Sequence, residues 1–365
     1  PRRTKLLGAV ENVDVEDVIQ EEKVIVTVTN KGYIKRTPLT SIRAQKRGGK
    51  GKTGIVTREE DFVSQLFSVS TLTPVLFFSS KGIVYRLKAW KIPEGSNTSK
   101  GKALANIFPI KADAQISSIL PLPYDKSTWK DNFLIFVTAN GKIRKNSILD
   151  FENIQANGKI AMKLEKDDKI VSVKIVKKND DVMLNTYSGK SLRINASKIR
   201  IFKGRSSKGI KGINLKNNDK VISLTVLNHV ATTSEETKAY IKRTRKDDLE
   251  NTDDTNFEIS TKKYEELKLR EEFILTITEN GYGKRSSSYE FRESGRGGQG
   301  IINIISSERN GNIAASYSVK NDDDIMLITN KGQMIRCAVS DIRITGRNTQ
   351  GVRIFKVEKN EKVVS

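Results

Sequence analysis

The sequence predicts an all-β fold: six repeated units of four short antiparallel strands, closed into a propeller-like ring. Three observations carry this. A short phrase recurs six times, as Thr29–Arg36, Ser79–Arg86, Thr138–Lys145, Thr186–Arg193, Thr278–Arg285 and Thr329–Arg336. Its glycine falls at positions 32, 82, 141, 189, 281 and 332, at intervals of 50, 59, 48, 92 and 51 residues, which marks one structural unit used repeatedly. Around each copy the apolar residues run with the period of strands, and helical patterns are few. Radial repetition leaves few bare sheet edges, so a ring is the natural arrangement of such units.

Within a unit the elements follow in order. Val24, Val26 and Val28 alternate with Ile25, Thr27 and Thr29, the period-two signature of a first strand. Phe133–Val137 and Phe273–Ile277 are denser apolar runs, as strands covered on both faces require. Each run ends in Asn-Lys-Gly, Ala-Asn-Gly or a similar turn, where glycine supplies the positive φ of a tight hairpin, and a second strand follows. A third motif recurs downstream: Gly51-Lys-Thr-Gly-Ile-Val56, Gly101-Lys-Ala-Leu104, Gly158-Lys-Ile-Ala-Met162, Gly209-Ile-Lys-Gly-Ile213, Gly297-Gly-Gln-Gly-Ile-Ile302 and Gln350-Gly-Val-Arg-Ile354. A fourth strand is expected at Phe62–Phe67, Ile116–Leu120, Ile170–Val173, Val221–Val226 and Ile313–Tyr317, with Val363–Ser365 as the sixth copy. Closing the ring calls for one unit built from both chain ends, and Lys5–Val10 is expected to complete the sixth sheet.

The repeat makes residues 1–365 a single domain. One interval is long because of an insertion, about residues 229–270, rich in Thr, Asp, Glu and Lys. Its first half reads as a surface loop and its end, Lys262–Arg270, as a short helix. There is no run of 18 apolar residues, so no membrane span is expected. Pro1-Arg-Arg-Thr4 lacks a Met and an apolar leader, and the chain is expected to be a fragment of a longer polypeptide. The single cysteine, Cys337, has no internal disulfide partner and is expected to pack as a small hydrophobe, in a reducing cytoplasm.

Charge carries the functional reading. Lys and Arg number 65 against 43 Asp and Glu, for a net +22. Residues 231–272 hold 9 basic and 12 acidic residues, a net of −3 that leaves +25 on the repeats. Such an excess attracts polyanions, and duplex DNA is the expected partner. Every copy of the phrase ends in cations: Lys35, Arg36, Arg86, Arg144, Lys145, Arg193, Lys284, Arg285 and Arg336. Set around an axis, they are expected to form a belt on the circumference. The densest cluster is Gln45-Lys46-Arg47-Gly48-Gly49-Lys50-Gly51, where glycines let backbone N–H groups approach a phosphate that the cations neutralise. Degenerate versions at Lys203, Arg205 and Lys208, at Arg296 and at Arg347, with Lys100 and Lys102 in another copy, extend the expected DNA-binding set. The alternative reading is a protein-interaction scaffold whose positive charge is incidental.

Other chemistry finds little support. Gly51-Lys52-Thr53 lacks the glycine that a phosphate-binding nucleotide loop needs five residues earlier, where Lys46 stands. His229 is the only histidine, which excludes histidine triads and multi-histidine metal sites and leaves it as a solvated or packed residue. Asp180-Asp181, Asp247-Asp248 and Asp322-Asp-Asp324 read as turn formers. Trp90 and Trp129 read as packing residues, and none of the nine tyrosines has the context of a DNA-breaking nucleophile.

The basic loop and the repeats together resemble the DNA gyrase A C-terminal domains of the type IIA topoisomerases. Gln45–Gly51 is similar to that family's box motif, with Lys46 where Arg is usual, and Gly32–Arg36, Asn280–Arg285 and Gly346–Val352 follow its pattern; the insertion departs in length. The repeats alone also fit the topoisomerase IV relative, whose box is degenerate or missing. The resemblance implies a six-bladed β-pinwheel with strands swapped between neighbouring blades and DNA wrapped round the outer rim. It implies a holoenzyme of two gyrase A and two gyrase B chains in the bacterial cytoplasm, associated with the nucleoid and introducing negative supercoils. ATP and Mg2+ would be used elsewhere in that holoenzyme. This chain would itself carry no active site, cofactor or metal, and alone would be monomeric.

Overall fold

The computed structural model describes residues 15–41, 61 and 63–364, apart from 248–258 and the single positions 97, 112, 156, 217, 332 and 359. Six antiparallel hairpins form where the phrase recurs. They are Lys23–Thr29 with Tyr33–Pro38, Pro74–Ser79 with Ile83–Lys88, Asn132–Thr138 with Lys142–Ser147, Asp181–Thr186 with Lys190–Asn195, Phe273–Thr278 with Tyr282–Ser287, and Asp324–Ile328 with Met334–Ala338. A third strand from the same unit covers one side of the first five: Val63–Ser70, Ile116–Pro121, Ile170–Lys177, Val221–Leu227 and Ile313–Val319. The last four of these lie against one another in succession, which sets them at the inner edge of their sheets.

The outer strand is not local. Lys102–Ala103 pairs with the first hairpin, Lys159–Ile160 with the second, Ile210–Lys211 with the third, Ile301–Ile302 with the fourth and Val352–Arg353 with the fifth. Each comes from the unit that follows in the chain. The third motif is therefore an exchanged strand, and a unit keeps three of its four strands in its own sheet. This agrees with the swap that the resemblance implied. The physical trace of it is the hairpin glycine, whose carbonyl accepts backbone N–H groups from just beyond the exchanged strand. Gly82 O receives Ala161 N at 2.8 Å, and Gly281 O receives Ile354 N at 2.9 Å and Phe355 N at 3.0 Å.

Five complete four-stranded sheets, rather than six, stand among the described residues, beside a sixth that has two strands. Val363 bridges Thr329 at the place where the inner strand of the fifth sheet begins, with Ile313 beside Thr278, so the sixth copy of that strand starts as its spacing predicts. Lys5–Val10 and Gly51–Val56 lie outside the described residues.

Apolar cores lie between successive sheets rather than within them. Phe77 and Tyr85 pack with Val24 and Ile34 between the first and second, and Phe78, Phe136 and Phe151 fill the gap between the second and third. Trp129 is buried there, with its indole N–H on Pro123 O at 2.8 Å. Cys337 packs between the fifth and sixth sheets, half-buried, and burial pushes its thiol pKa up. Between the fourth and fifth the apolar part is small, Met183, Leu227, Ile274 and Phe291, and the rest is a buried hydrogen-bonded network. Thr276 Oγ1 donates to Asn303 Oδ1 at 3.0 Å, and Asn185 Nδ2 reaches Ser223 and Thr225 at 3.0 and 3.1 Å.

The insertion sits beside this polar joint. It forms two helices, α1 (Ser234–Asp247) and α2 (Thr261–Arg270). The second was expected. The first corrects the reading of a loop, and the signal was present as a capping box. Glu236 N donates to Thr233 Oγ1 at 3.1 Å while Thr233 N donates to Glu236 Oε2 at 2.8 Å. The helices close over Tyr240, Tyr264 and Tyr289, with ring centroids 5.2 and 5.4 Å apart. No helix among the described residues is long and apolar enough to cross a membrane.

The exchange predicts a graded cost for glycine substitution. Gly281 and Gly204 have similar φ, +76° and +74°, but a Cβ on Gly281 would stand 2.0 Å from Phe355 O while one on Gly204 meets nothing within 4 Å. Gly204→Ala should cost about 1–2 kcal/mol, the left-handed backbone term alone. Gly281→Ala should cost on the order of 3 kcal/mol or more, because the exchanged segment must move as well. Urea denaturation checks this, and equal costs would refute the close approach.

Candidate nucleic-acid interface

The strand that ends each phrase brings its cations against the following unit, and most turn inward. Lys35, Arg144, Lys145, Arg193, Lys284 and Arg285 are buried, and Arg36 and Arg86 are partly buried. Apart from Arg86, whose buried Nε has no partner among the described residues, they donate to main-chain carbonyls of the next unit. Arg36 Nε reaches Ile92 O at 2.9 Å, Arg193 Nη1 reaches Ser288 O at 2.9 Å, and Arg285 Nε reaches Ile342 O at 2.6 Å; Lys145 Nζ binds Ala196 O. All four acceptors lie in or just after a one-turn helix of the following unit, where outward carbonyls favour a cation.

A second set sits one residue earlier in the phrase. Lys35 Nζ donates to Ser96 O and Ser99 O, both at 2.8 Å. Arg144 donates to Arg205 O at 2.9 Å and Ser207 O at 2.6 Å, and also holds Gly204 O. Lys284 Nζ donates to Gly346 O at 2.8 Å and Arg347 O at 2.6 Å. These carbonyls belong to the loop that leads into the exchanged strand. Burial pulls the pKa of Arg144 down to about 10 and that of Lys284 to about 7, and it lowers Lys35 and Lys145 in the same direction. A buried cation held by backbone carbonyls is not free to neutralise a phosphate. The expected belt is therefore corrected at Lys35, Arg36, Arg144, Lys145, Arg193, Lys284 and Arg285, which clamp one unit to the next, and at half-buried Arg86 it is set inward. Arg336 remains exposed and pairs with Asp324.

The loop cations meet the expectation of exposure better. Lys102, Lys203, Lys208 and Arg296 are exposed, and Lys100, Arg205 and Arg347 are half-buried. Lys100 lies over the Tyr33 ring at 3.8 Å. Gln45, Lys46, Arg47, Gly48, Gly49, Lys50 and Gly51 lie outside the described residues.

Strand exchange sets Lys102, already expected, beside residues that the sequence reading passed over, Lys159, Lys211 and Arg353. The exchanged strand is the outermost of its sheet, and four of the five carry a cation: Lys102, Lys159, Lys211 and Arg353. Lys159 is half-buried and the other three are exposed. Lys163 and Lys356 follow on the same segments, both exposed. The recurring Gly-Lys of the third motif was the available signal. Arg353 Nη2 donates to Tyr282 Oη at 2.8 Å, and Arg309 with Arg353 holds the Tyr282 hydroxyl below its usual pKa. The outer edge thus carries exposed cations, while an inner set maintains the geometry.

His229 is half-buried, with Nδ1 3.1 Å from Asp181 Oδ1. Asp181, His229 and Glu293 bring ligand atoms within 4.8 Å of one another. Asp181 is already engaged by Arg193, at 2.9 and 2.6 Å on one oxygen, and by Asn195 at 2.8 Å on the other. Both Asp181 oxygens are thus held by side-chain donors.

The family model for the DNA gyrase C-terminal domain, a β-propeller, matches residues 23–70, 73–123, 132–177, 180–228, 272–315 and 323–365. These six segments follow the six units and pass over the insertion. The DNA gyrase A chain of Rickettsia bellii (strain RML369-C) is 46% identical over 372 residues, covering 100% of this chain and 41% of that protein. That of Staphylococcus aureus (strain COL) is 36% identical over 363 residues, 99% of this chain and 36% of its own length. The chain thus spans about two fifths of these relatives. Among solved structures, a C-terminal domain of DNA topoisomerase IV superposes with a TM-score of 0.71 at 24% identity, covering 95% of this chain and 93% of that one. A DNA gyrase A C-terminal domain gives 0.65 at 22%, covering 94% and 98%. At these identities the likeness is one of fold.

The clamps predict an unusual response to pH. Below about pH 7 Lys284 is charged in both folded and unfolded chains, and its burial cost stands in full. Between about 7 and 10.5 the folded chain releases the proton while the unfolded chain keeps it, so stability attributable to Lys284 rises with pH, by up to about 1.4 kcal/mol per unit. Lys284→Met should abolish that rise. Subtracting denaturation midpoints of variant and native chains from pH 6 to 10 checks it, and parallel curves would refute it.

Proposed function

The chain belongs to the DNA gyrase C-terminal domain family, and we propose that it is a duplex-wrapping module. Double-stranded DNA runs over the outer edge of its sheets, held through phosphates and without base readout. The observation that supports this is the division of the cations. Those inside the fold are consumed by carbonyls, while Lys102, Lys211 and Arg353 sit exposed on exchanged strands at the sheet edge and Lys203, Lys208 and Arg296 are exposed on loops.

In this reading the six units close into a ring. The box Gln45–Gly51, the densest cluster of charge in the sequence, anchors the wrap. Bending some 40 base pairs through half a turn costs on the order of 10 kcal/mol. About ten neutralised phosphates give a salt slope near −9, enough to offset that cost at moderate ionic strength. The wrap would present a DNA segment to the breakage gate of an assembly of two gyrase A and two gyrase B chains in the bacterial cytoplasm, at the nucleoid. Breakage chemistry, ATP and Mg2+ would belong to the rest of that assembly.

The experiment is ligation of nicked plasmid bound to the chain. The native chain should shift linking number, and Lys46→Ala/Arg47→Ala/Lys50→Ala should abolish the shift while lowering affinity far less. A native chain that leaves linking number unchanged, or binds with no salt dependence, would favour the scaffold reading.

A further inference from the structure

One outer strand breaks the charge pattern. Lys102, Lys159, Lys211 and Arg353 mark four of the five, but the fourth sheet ends in Ile301–Ile302. The insertion lies beside that sheet edge. A groove of about 830 Å³ runs between α1 and the exchanged strand, with Ile301 on its wall. Its charged side chains are Lys238 and Lys242 from α1, Arg292 and Arg347 from the fifth and sixth units, and Glu290. The Glu290 carboxylate is already occupied by the Arg347 backbone N–H at 2.8 Å. Lys238, Lys242 and Arg292 are exposed, and no hydrogen bond or ion pair engages them among the described residues. Lys238 and Lys242 lie four residues apart on one helix face, adjacent along the groove. The opposite face of α1 is fastened by Tyr240 to Tyr264 and Tyr289, so the cations are presented from a fixed support.

We propose that α1 replaces the missing rim cation of the fourth sheet, so that Lys238, Lys242 and Arg292 hold the phosphate backbone of the wrapped duplex there. The insertion is then an added segment of the DNA track, despite its net negative composition. Its acidic residues Glu235 and Glu236 occupy the first turn of α1, where they stabilise the helix end, and leave the groove face to the lysines. This rests on the wrapping reading, and the experiment separates the two.

The chain is titrated with a linear mixed-sequence duplex over a range of salt and footprinted with hydroxyl radicals. Lys238→Gln/Lys242→Gln/Arg292→Gln should fold with an unchanged Tm, lose about 2 to 3 from the salt slope, and lose one internal stretch of protection. Lys238→Arg/Lys242→Arg/Arg292→Lys should restore both. A glutamine variant with the native slope and footprint overturns the role of α1 and leaves wrapping intact. A native chain without salt-dependent protection overturns the wrapping reading, and this inference with it.

Discussion

The fold depends on buried cations bound to backbone carbonyls of the next unit. A unit has a hairpin and an inner strand, and its outer strand must come from its neighbour. The connecting loop and one-turn helix that bring it there leave carbonyl oxygens without a partner in the sheet ladders. Lys35, Arg144, Lys145, Arg193, Lys284 and Arg285 fill that need. Hydrogen bonds to a charged donor stabilise by about 1.5–3 kcal/mol each, against a desolvation cost of several kcal/mol per ion. Such a clamp is therefore worth keeping for the register it imposes more than for net stability.

That constraint divides the positive charge between two tasks. Cations in the second strand of most hairpins secure one unit to the next, and among those of the exchanged strands and their loops Lys102, Lys211, Arg353, Lys203, Lys208 and Arg296 are exposed. Because the exchanged strand is always outermost, the same event that joins two units also sets a lysine or arginine at the edge. Stability of the joint and presentation of charge are thus coupled through one short segment of two paired residues. The fourth sheet departs from the rule, with Ile301–Ile302 at its edge, a polar joint behind it and the helical insertion alongside.

The joint between fourth and fifth sheets differs in kind from the others. Phenylalanines fill the joint of second and third sheets, where contact is non-directional. Asn185, Thr276, Asn303 and Ser316 at the later joint must meet in one geometry to satisfy their hydrogen bonds. Directional contacts of this sort fix relative orientation where the apolar area is small.

Repeat number, hairpin positions and the inner strands were legible in the sequence, because each is a local pattern: a period of two, then a turn glycine. The existence of α1 was legible too, in Thr233 and Glu236, though masked by polar composition. What no local pattern could decide was the destination of side chains such as Lys284 and Lys102. Both are lysines in short strands after a glycine. One is buried because carbonyls of Gly346 and Arg347, more than sixty residues away, come within 3 Å, and the other is exposed because its strand lies at the sheet edge. Burial is a property of which distant segment arrives, so the sequence by itself determined the units and their charge, and only the tertiary exchange of strands decided which charges face out.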